Sequence, residues 1–210
     1  MNWEQLPLGP LQTNCYLLAN QEKKCIIVDP GEEGARVVNH LQQRKLTPQA
    51  ILLTHAHFDH IGAVDDIRSV YNIPVYLHNK EKNWLMEPSL NGSQLFMMGP
   101  IKVKEADHLF TSEGAMKVGD FLFEVFETPG HSPGSVSFYF KEDGVVVAGD
   151  ALFQGSIGRT DLPGGNHEQL IRSIHDKLLI MPEETQVLPG HGATTTIGEE
   201  MDRNPFLNGF

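Results

Sequence analysis

Apolar positions in this chain fall in short runs, and through the first third those runs alternate with stretches whose apolar residues recur every three or four positions. Cys15-Tyr16-Leu17-Leu18-Ala19 and Cys25-Ile26-Ile27-Val28 predict paired strands, with the polar stretch 20–24 as the turn between them. Val37, Val38, Leu41 and Leu46 then mark an amphipathic helix, stopped by Thr47-Pro48. Ile51-Leu52-Leu53 predicts a short buried strand. Ile61, Val64, Ile67, Val70 and Tyr71 predict a second helix, and Pro74-Val75-Tyr76-Leu77 a further strand. Alternating strand and helix is the pattern of an α/β fold.

Residues 79–115 carry no clear period. Asn79 to Met86 suggests a short helix, while Asn91-Gly92-Ser93 and Met98-Gly99-Pro100 have loop chemistry. Trp84, Phe96, Met97 and Met98 are read as core filling in preference to pocket lining. Strands return at Phe121–Phe126, Val136–Phe140 and Val145–Ala148, the last two joined by Lys141-Glu142-Asp143-Gly144. A helix follows over Glu168–Ile180, stopped by Pro182, and Thr185–Leu188 makes a final strand. With no linker, charge block or low-complexity tract, residues 1–210 read as one domain.

Composition narrows the function. A formal charge of -11 argues against a general nucleic-acid binder, which needs clustered Lys and Arg. No run of 18 apolar residues offers a membrane span, and the start has no basic stretch before an apolar one, so a cytoplasmic enzyme is expected. Cys15 and Cys25 are read as two reduced, buried thiols.

The chemistry concentrates in Thr54-His55-Ala56-His57-Phe58-Asp59-His60, between a buried strand and a helix. In extended chain His55 and His57 point to the same side and can reach one ion. At the turn into the helix Asp59 and His60 are thrown toward a different point, which suggests two adjacent metal positions. The competing reading is a solvated, His-rich surface loop. Three later strands end in Pro129-Gly130-His131, Gly149-Asp150 and Pro189-Gly190-His191. Together these loops supply five histidines and two aspartates, and strand ends are where layered α/β folds bind ligands. His and Asp donors without Cys suit zinc, manganese or iron, with zinc preferred and two divalent ions as the economical arrangement. Two ions roughly 3.5–4 Å apart are the outfit of a hydrolase. Asp29-Pro30-Gly31, at the end of the second strand, is read as a turn in preference to a catalytic element.

His55-x-His57-x-Asp59-His60 followed by His131, Asp150 and His191 resembles the metallo-β-lactamase superfamily over essentially the whole chain. The resemblance implies an α/β fold, a four-layer αβ/βα sandwich of two mixed sheets flanked by helices. It assigns His55, His57 and His131 to a first metal, Asp59, His60 and His191 to a second, and Asp150 to both. Asp59 and Asp150 are the residues it ties to catalysis. Thr128-Pro129-Gly130-His131-Ser132-Pro133-Gly134-Ser135, Gly149-Asp150-Ala151-Leu152-Phe153 and Gly158-Arg159-Thr160-Asp161 are similar to short bacterial glyoxalase II-like proteins. That implies hydrolysis of a small-molecule thioester of the S-2-hydroxyacylglutathione type, by attack of a metal-bridging hydroxide on the carbonyl. A thiolate of pKa about 8.5 leaves without a general acid, and none is obvious among the matched positions.

The departures from the family pattern are local. The C-terminal helical domain of larger glyoxalase II proteins is expected to be absent. A Lys and a Tyr that touch glutathione there fall at Arg159 and Asp161. Arg159 is a candidate grip for a substrate carboxylate, with an Arg159–Asp161 pair as the structural alternative. Gly158-Arg159-Thr160-Asp161 after Asp150 also resembles mononuclear-iron persulfide dioxygenases, with His55, His131 and Asp150 on one iron; a non-catalytic metal-binding module is a further alternative, and the acidic charge weighs against a metal-dependent nuclease. His40 and His175 are expected on helix surfaces, and His78, His108 and His167 in loops or at element ends. The apolar stretch 204–210 is expected to pack on the domain or at a homodimer contact.

Overall fold

The computed structural model describes residues 1–96 and 99–207. The chain forms two compact units, Met1–Thr111 with Val118–Phe121, and Ser112–Lys117 with the chain from Leu122 onward.

The first unit is built on a six-stranded mixed sheet. Strands β1 (Asn2–Leu8), β2 (Thr13–Ala19) and β3 (Lys24–Val28) form an antiparallel meander. Helix α1 (Gly34–Arg44) then crosses to β4 (Thr47–Leu52), parallel to β3. After α2 (Phe58–Ile61) and α3 (Val64–Tyr71), β5 (Val75–His78) lies parallel to β4, and β6 (His108–Phe110) closes the order. Val37 and Leu41 of α1 and Val64 and Ile67 of α3 pack with Leu17, Cys25, Ile27, Ile51 and Leu77 in one apolar core. Burial pushes the Cys25 thiol up to about 12 and the Cys15 thiol well above its usual range, and both cysteines are free.

Several expectations shift here. β1 was not foreseen: Pro7 and the charged Glu4 interrupt its pattern, and Pro7 is tolerated because β1 is the sheet edge. Helix α1 ends at Arg44 because Lys45 turns left-handed at φ 57 and returns its N–H to Leu41 and Gln42. Thr47-Pro48 therefore opens β4, with Pro48 beside a register shift against β3. In place of a helix over 79–86, a single 3-10 turn at Asn79–Glu81 leads into further turns. Trp84 is buried, whereas Phe96 is exposed and meets Phe58 in a tilted ring contact, centroids 5.5 Å apart. Met97 and Met98 lie outside the described residues, as do positions 208–210.

The second unit also carries a six-stranded mixed sheet, ordered β14-β13-β10-β9-β8-β7. Strands β7 (Gly114–Val118), β8 (Phe121–Glu127), β9 (Val136–Phe140) and β10 (Val145–Gly149) run in sequence. A small hairpin of β11 (Leu152–Phe153) and β12 (Ser156–Ile157) follows. Helix α4 (His167–Ser173) widens into a π turn at Ile174–Leu178, so the expected helix over 168–180 is present but uneven. β13 (Gln186–Pro189) lies parallel to β10, and β14 (Thr195–Thr196) and α5 (Ile197–Arg203) end the fold. Leu170, Ile174 and Leu178 pack with Val146, Ala148, Val187 and Ile197. Two mixed sheets flanked by helices are thus what the chain forms, in the expected α/β class. Among the described residues no helix is long and apolar enough to cross a membrane.

Candidate metal centre

Each unit holds part of the predicted ligand set at the ends of its strands. In the first, β4 runs out at Leu52 and the chain passes through Thr54–His57 into α2, so Asp59 and His60 lie on a one-turn helix and not on the loop itself. His55, His57 and His60 are buried. The His55 ring stands 4.8 Å from that of His57 and 4.1 Å from that of His60.

A buried carboxylate, Asp29, organises this cluster. Its Oδ1 accepts the Thr54 backbone N–H at 2.8 Å, and its Oδ2 accepts the Thr54 hydroxyl at 2.6 Å. The same Oδ2 lies 3.0 Å from His60 Nδ1. A carboxylate only accepts, so His60 Nδ1 carries the proton. Thr54 has spent its one hydroxyl proton on Asp29, so its oxygen must accept from His55 Nδ1, 3.1 Å away. One carboxylate therefore fixes the tautomer of two imidazoles and leaves Nε2 of each as a lone-pair donor, the arrangement that orients metal-binding histidines. Asp29 sits at φ 50, a left-handed conformation, and Gly31 two residues on lies against α2, where a Cβ would stand 1.8 Å from the Asp59 carbonyl oxygen. The turn expected at Asp29-Pro30-Gly31 does not form; the chain leaves β3 irregularly, and the Asp29 carboxylate instead holds Thr54 and His60. Its place resembles that of Asp150, directly after a strand buried along nearly its whole length, but position alone does not reveal the contacts.

Asp59 Oδ2 accepts the Thr13 hydroxyl at 2.8 Å and stands 3.6 Å from His60 Nε2. That is too long for a charge-assisted hydrogen bond of about 2.7–2.9 Å. It matches two donors on one ion, since ligands at about 2.1 Å and a roughly tetrahedral angle lie about 3.4 Å apart.

In the second unit the same geometry recurs around Asp150. Its Oδ2 stands 3.5 Å from His131 Nε2 and 3.6 Å from His191 Nε2, so one oxygen is placed evenly between two imidazole nitrogens. His131 Nδ1 donates to the Arg159 carbonyl at 2.8 Å, which again leaves Nε2 as the donor. Asp150 and His191 follow adjacent parallel strands, held level where Gly190 N–H meets the Gly149 carbonyl at 2.8 Å. Gly158 brings the returning loop against this group: a Cβ there would lie 1.8 Å from the Asp150 carbonyl oxygen and 3.3 Å from His131 Cβ. Within each unit, then, Asp59 with His60, and Asp150 with His131 and His191, stand at the separation of two donors that share an ion.

Arg159 makes a bidentate pair with Asp161, both bonds 2.7 Å, and both residues are exposed. The guanidinium lowers the Asp161 carboxyl to about 2. Of the remaining histidines, His40 pairs with Glu4 at 2.8 Å, and His78 is buried with its Nδ1 accepting the Lys80 N–H. His108 meets the Tyr76 ring at a tilt, centroids 4.6 Å apart, and His167 opens α4.

The chain matches the Metallo-beta-lactamase superfamily over residues 8–191. It is 54% identical over 210 residues to "Probable metallo-hydrolase YqgX" of Bacillus subtilis, covering 100% of this chain and 99% of that protein. It is 39% identical over 209 residues to "Hydroxyacylglutathione hydrolase GloC" of Haemophilus influenzae, with 99% of each covered. Among solved structures it is similar to the BLEG-1 B3 metallo-beta-lactamase, at 56% identity and TM-score 0.97, covering 99% of this chain and 100% of that one. It is also similar to TTHA1623 in a di-iron-bound form, at 41% identity and TM-score 0.86, with 97% and 100% covered.

Proposed function

Because the chain belongs to the metallo-β-lactamase superfamily, we propose that it is a dinuclear metal hydrolase acting on small-molecule thioesters of the S-2-hydroxyacylglutathione type. His55, His57 and His131 hold the first ion, Asp59, His60 and His191 the second, and Asp150 reaches both. The observation that carries this reading is the even placement of Asp150 Oδ2 between His131 Nε2 and His191 Nε2, at 3.5 and 3.6 Å. Zinc is the first choice for an all His and Asp set. The di-iron form of TTHA1623 makes iron the second.

Two such ions, when bound, supply a Lewis acid for the carbonyl and water that ionises near neutral pH. The protein's part is to hold the donors. Asp29, directly and through the Thr54 hydroxyl, and the Arg159 carbonyl keep the Nδ1 protons of His60, His55 and His131 in place, so that none of these three needs to change tautomer during turnover. The leaving thiolate needs no protonation, which suits a site whose matched residues include no separate acid. Arg159 lies on the loop that returns past Asp150 and is the proposed contact for a substrate carboxylate, in competition with Asp161.

Similarity to BLEG-1 favours a second reading, β-lactam hydrolysis on the same centre. There the leaving nitrogen is a far poorer leaving group than a thiolate and needs a proton. Elemental analysis of protein from unsupplemented medium, with S-lactoylglutathione and β-lactam assays on the same sample, separates the readings. About two ions per chain with thioester turnover is the expected result. Turnover of the β-lactam alone would select the second reading. A single iron with turnover of neither substrate would end both and call for an oxygen-uptake assay with a persulfide.

A further inference from the structure

Among the described residues the loop Thr54–Phe58 pairs with no strand, yet it is buried throughout. Its alternate backbone N–H groups are met by three separate acceptors. Thr54 N–H goes to the Asp29 carboxylate at 2.8 Å, Ala56 N–H to Glu81 Oε2 at 2.7 Å, and Phe58 N–H to the Asn91 carbonyl at 2.9 Å. The residues between these three points, His55 and His57, are the proposed ligands. In extended chain, fixing the N–H groups on one side fixes where the intervening side chains point.

Two of the three acceptors come from the stretch whose sequence shows no period. Glu81 is fully buried at the end of the Asn79–Glu81 turn. Asn91 is fully buried too, and its side chain ties the stretch together: Nδ2 donates to the carbonyls of Trp84 at 3.1 Å and Ile101 at 2.9 Å, and Oδ1 accepts from Ser93 N–H at 3.0 Å. Trp84 adds a ring contact to His57, centroids 5.6 Å apart. A carboxylate oxygen is a strong acceptor for a backbone amide inside a ligand loop.

We propose that residues 79–96, tied through Asn91 to Ile101, serve as an outer brace for the ligand loop, with Glu81 and Asn91 as positioning residues that set His55 and His57 for metal binding. This rests on the reading of those histidines as ligands. Glu81 acts through its hydrogen bond to Ala56 N–H, and neither residue is a ligand itself.

The test is zinc affinity of the apo-protein, measured by competition with a chromophoric chelator, beside the melting temperature of the same apo sample. Glu81→Gln keeps an oxygen acceptor for Ala56 and is expected to bind zinc within about threefold of the unmodified protein. Glu81→Leu removes the acceptor and is expected to lose roughly 10–100-fold in affinity, the usual cost of losing an outer-shell partner. Asn91→Ala, which loosens the stretch without touching the loop's own bonds, is expected to lose about tenfold. A folded Glu81→Leu protein with unchanged affinity would overturn the proposal, as would Glu81→Gln falling as far as Glu81→Leu, which would mean charge and not position. If Glu81→Leu fails to fold, Asn91→Ala decides, and unchanged affinity there overturns it. Failure of the metal reading would show earlier, as absence of stoichiometric zinc binding by the unmodified protein.

Discussion

At the scale of single residues, Asp29 carries more of the site than any predicted ligand does indirectly. It takes a backbone N–H, a hydroxyl and an imidazole N–H on two oxygens. An amide in its place has one acceptor oxygen and would present N–H to one of these donors. Asp29→Asn is therefore expected to lower zinc affinity roughly 10–100-fold while the protein stays folded, checked by calorimetric titration. The Arg159–Asp161 pair gives a pH-dependent expectation. The Asp161 carboxyl lies at about 2 in the folded protein against an ordinary 3.8, so its contribution is present above pH 4 and is lost as pH falls through 2. In Arg159→Ala the Asp161 carboxyl should return toward its ordinary range, as read by an NMR pH titration. An unmoved titration would mean the guanidinium is not the cause. The predicted ligands were legible because their spacing states their chemistry. Asp29, Thr13 and Glu81 were not, since a lone Asp, Thr or Glu becomes an outer partner only through contacts 25 to 46 residues away in sequence.

At the scale of elements, legibility followed burial. β2, β3, β9 and β10 are buried along nearly their whole length, so they appear as unbroken apolar runs. The edge strands β1 and β7 and the short β6 and β14 show no such run and were missed, because exposed or brief strands relax the pattern. The loops between elements are constrained just as tightly where they touch the site. Gly158→Ala would drive a Cβ against the Asp150 carbonyl oxygen, and overpacking of this kind typically costs about 1–3 kcal/mol. The expected result is a fall of that size in chemical-denaturation stability together with reduced metal content. A variant unchanged in both would show that the loop moves freely past Asp150.

At the scale of the whole molecule, bound metal should act as a stabilising ligand. If the native state binds zinc and the unfolded chain does not, ligand at about a thousand times Kd adds roughly 4 kcal/mol. For a chain of this length that corresponds to a rise in melting temperature of about 8–16 °C. Chelation should lower the melting temperature by that order and zinc should restore it, as followed by calorimetry. Asp150→Ala, lacking the oxygen between His131 and His191, should show neither the metal-dependent shift nor more than a trace of turnover. A variant retaining two ions and full turnover would remove Asp150 from its proposed role.

The level ends of β10 and β13 have a consequence for descent. Asp150 and His191 are set apart by the spacing of two neighbouring strands, with Gly190 N–H on the Gly149 carbonyl as the gauge. Such a distance is inherited with the sheet and does not depend on what the chain does between the strands. Of the chain between those strand ends, the exposed turn beyond Arg159 is the part free to drift, lengthen or be exchanged while the ligand pair keeps its span. A lineage built this way can change what it acts on by rewriting loops, and a designer can graft a new loop between residues 159 and 165 without rebuilding the pair.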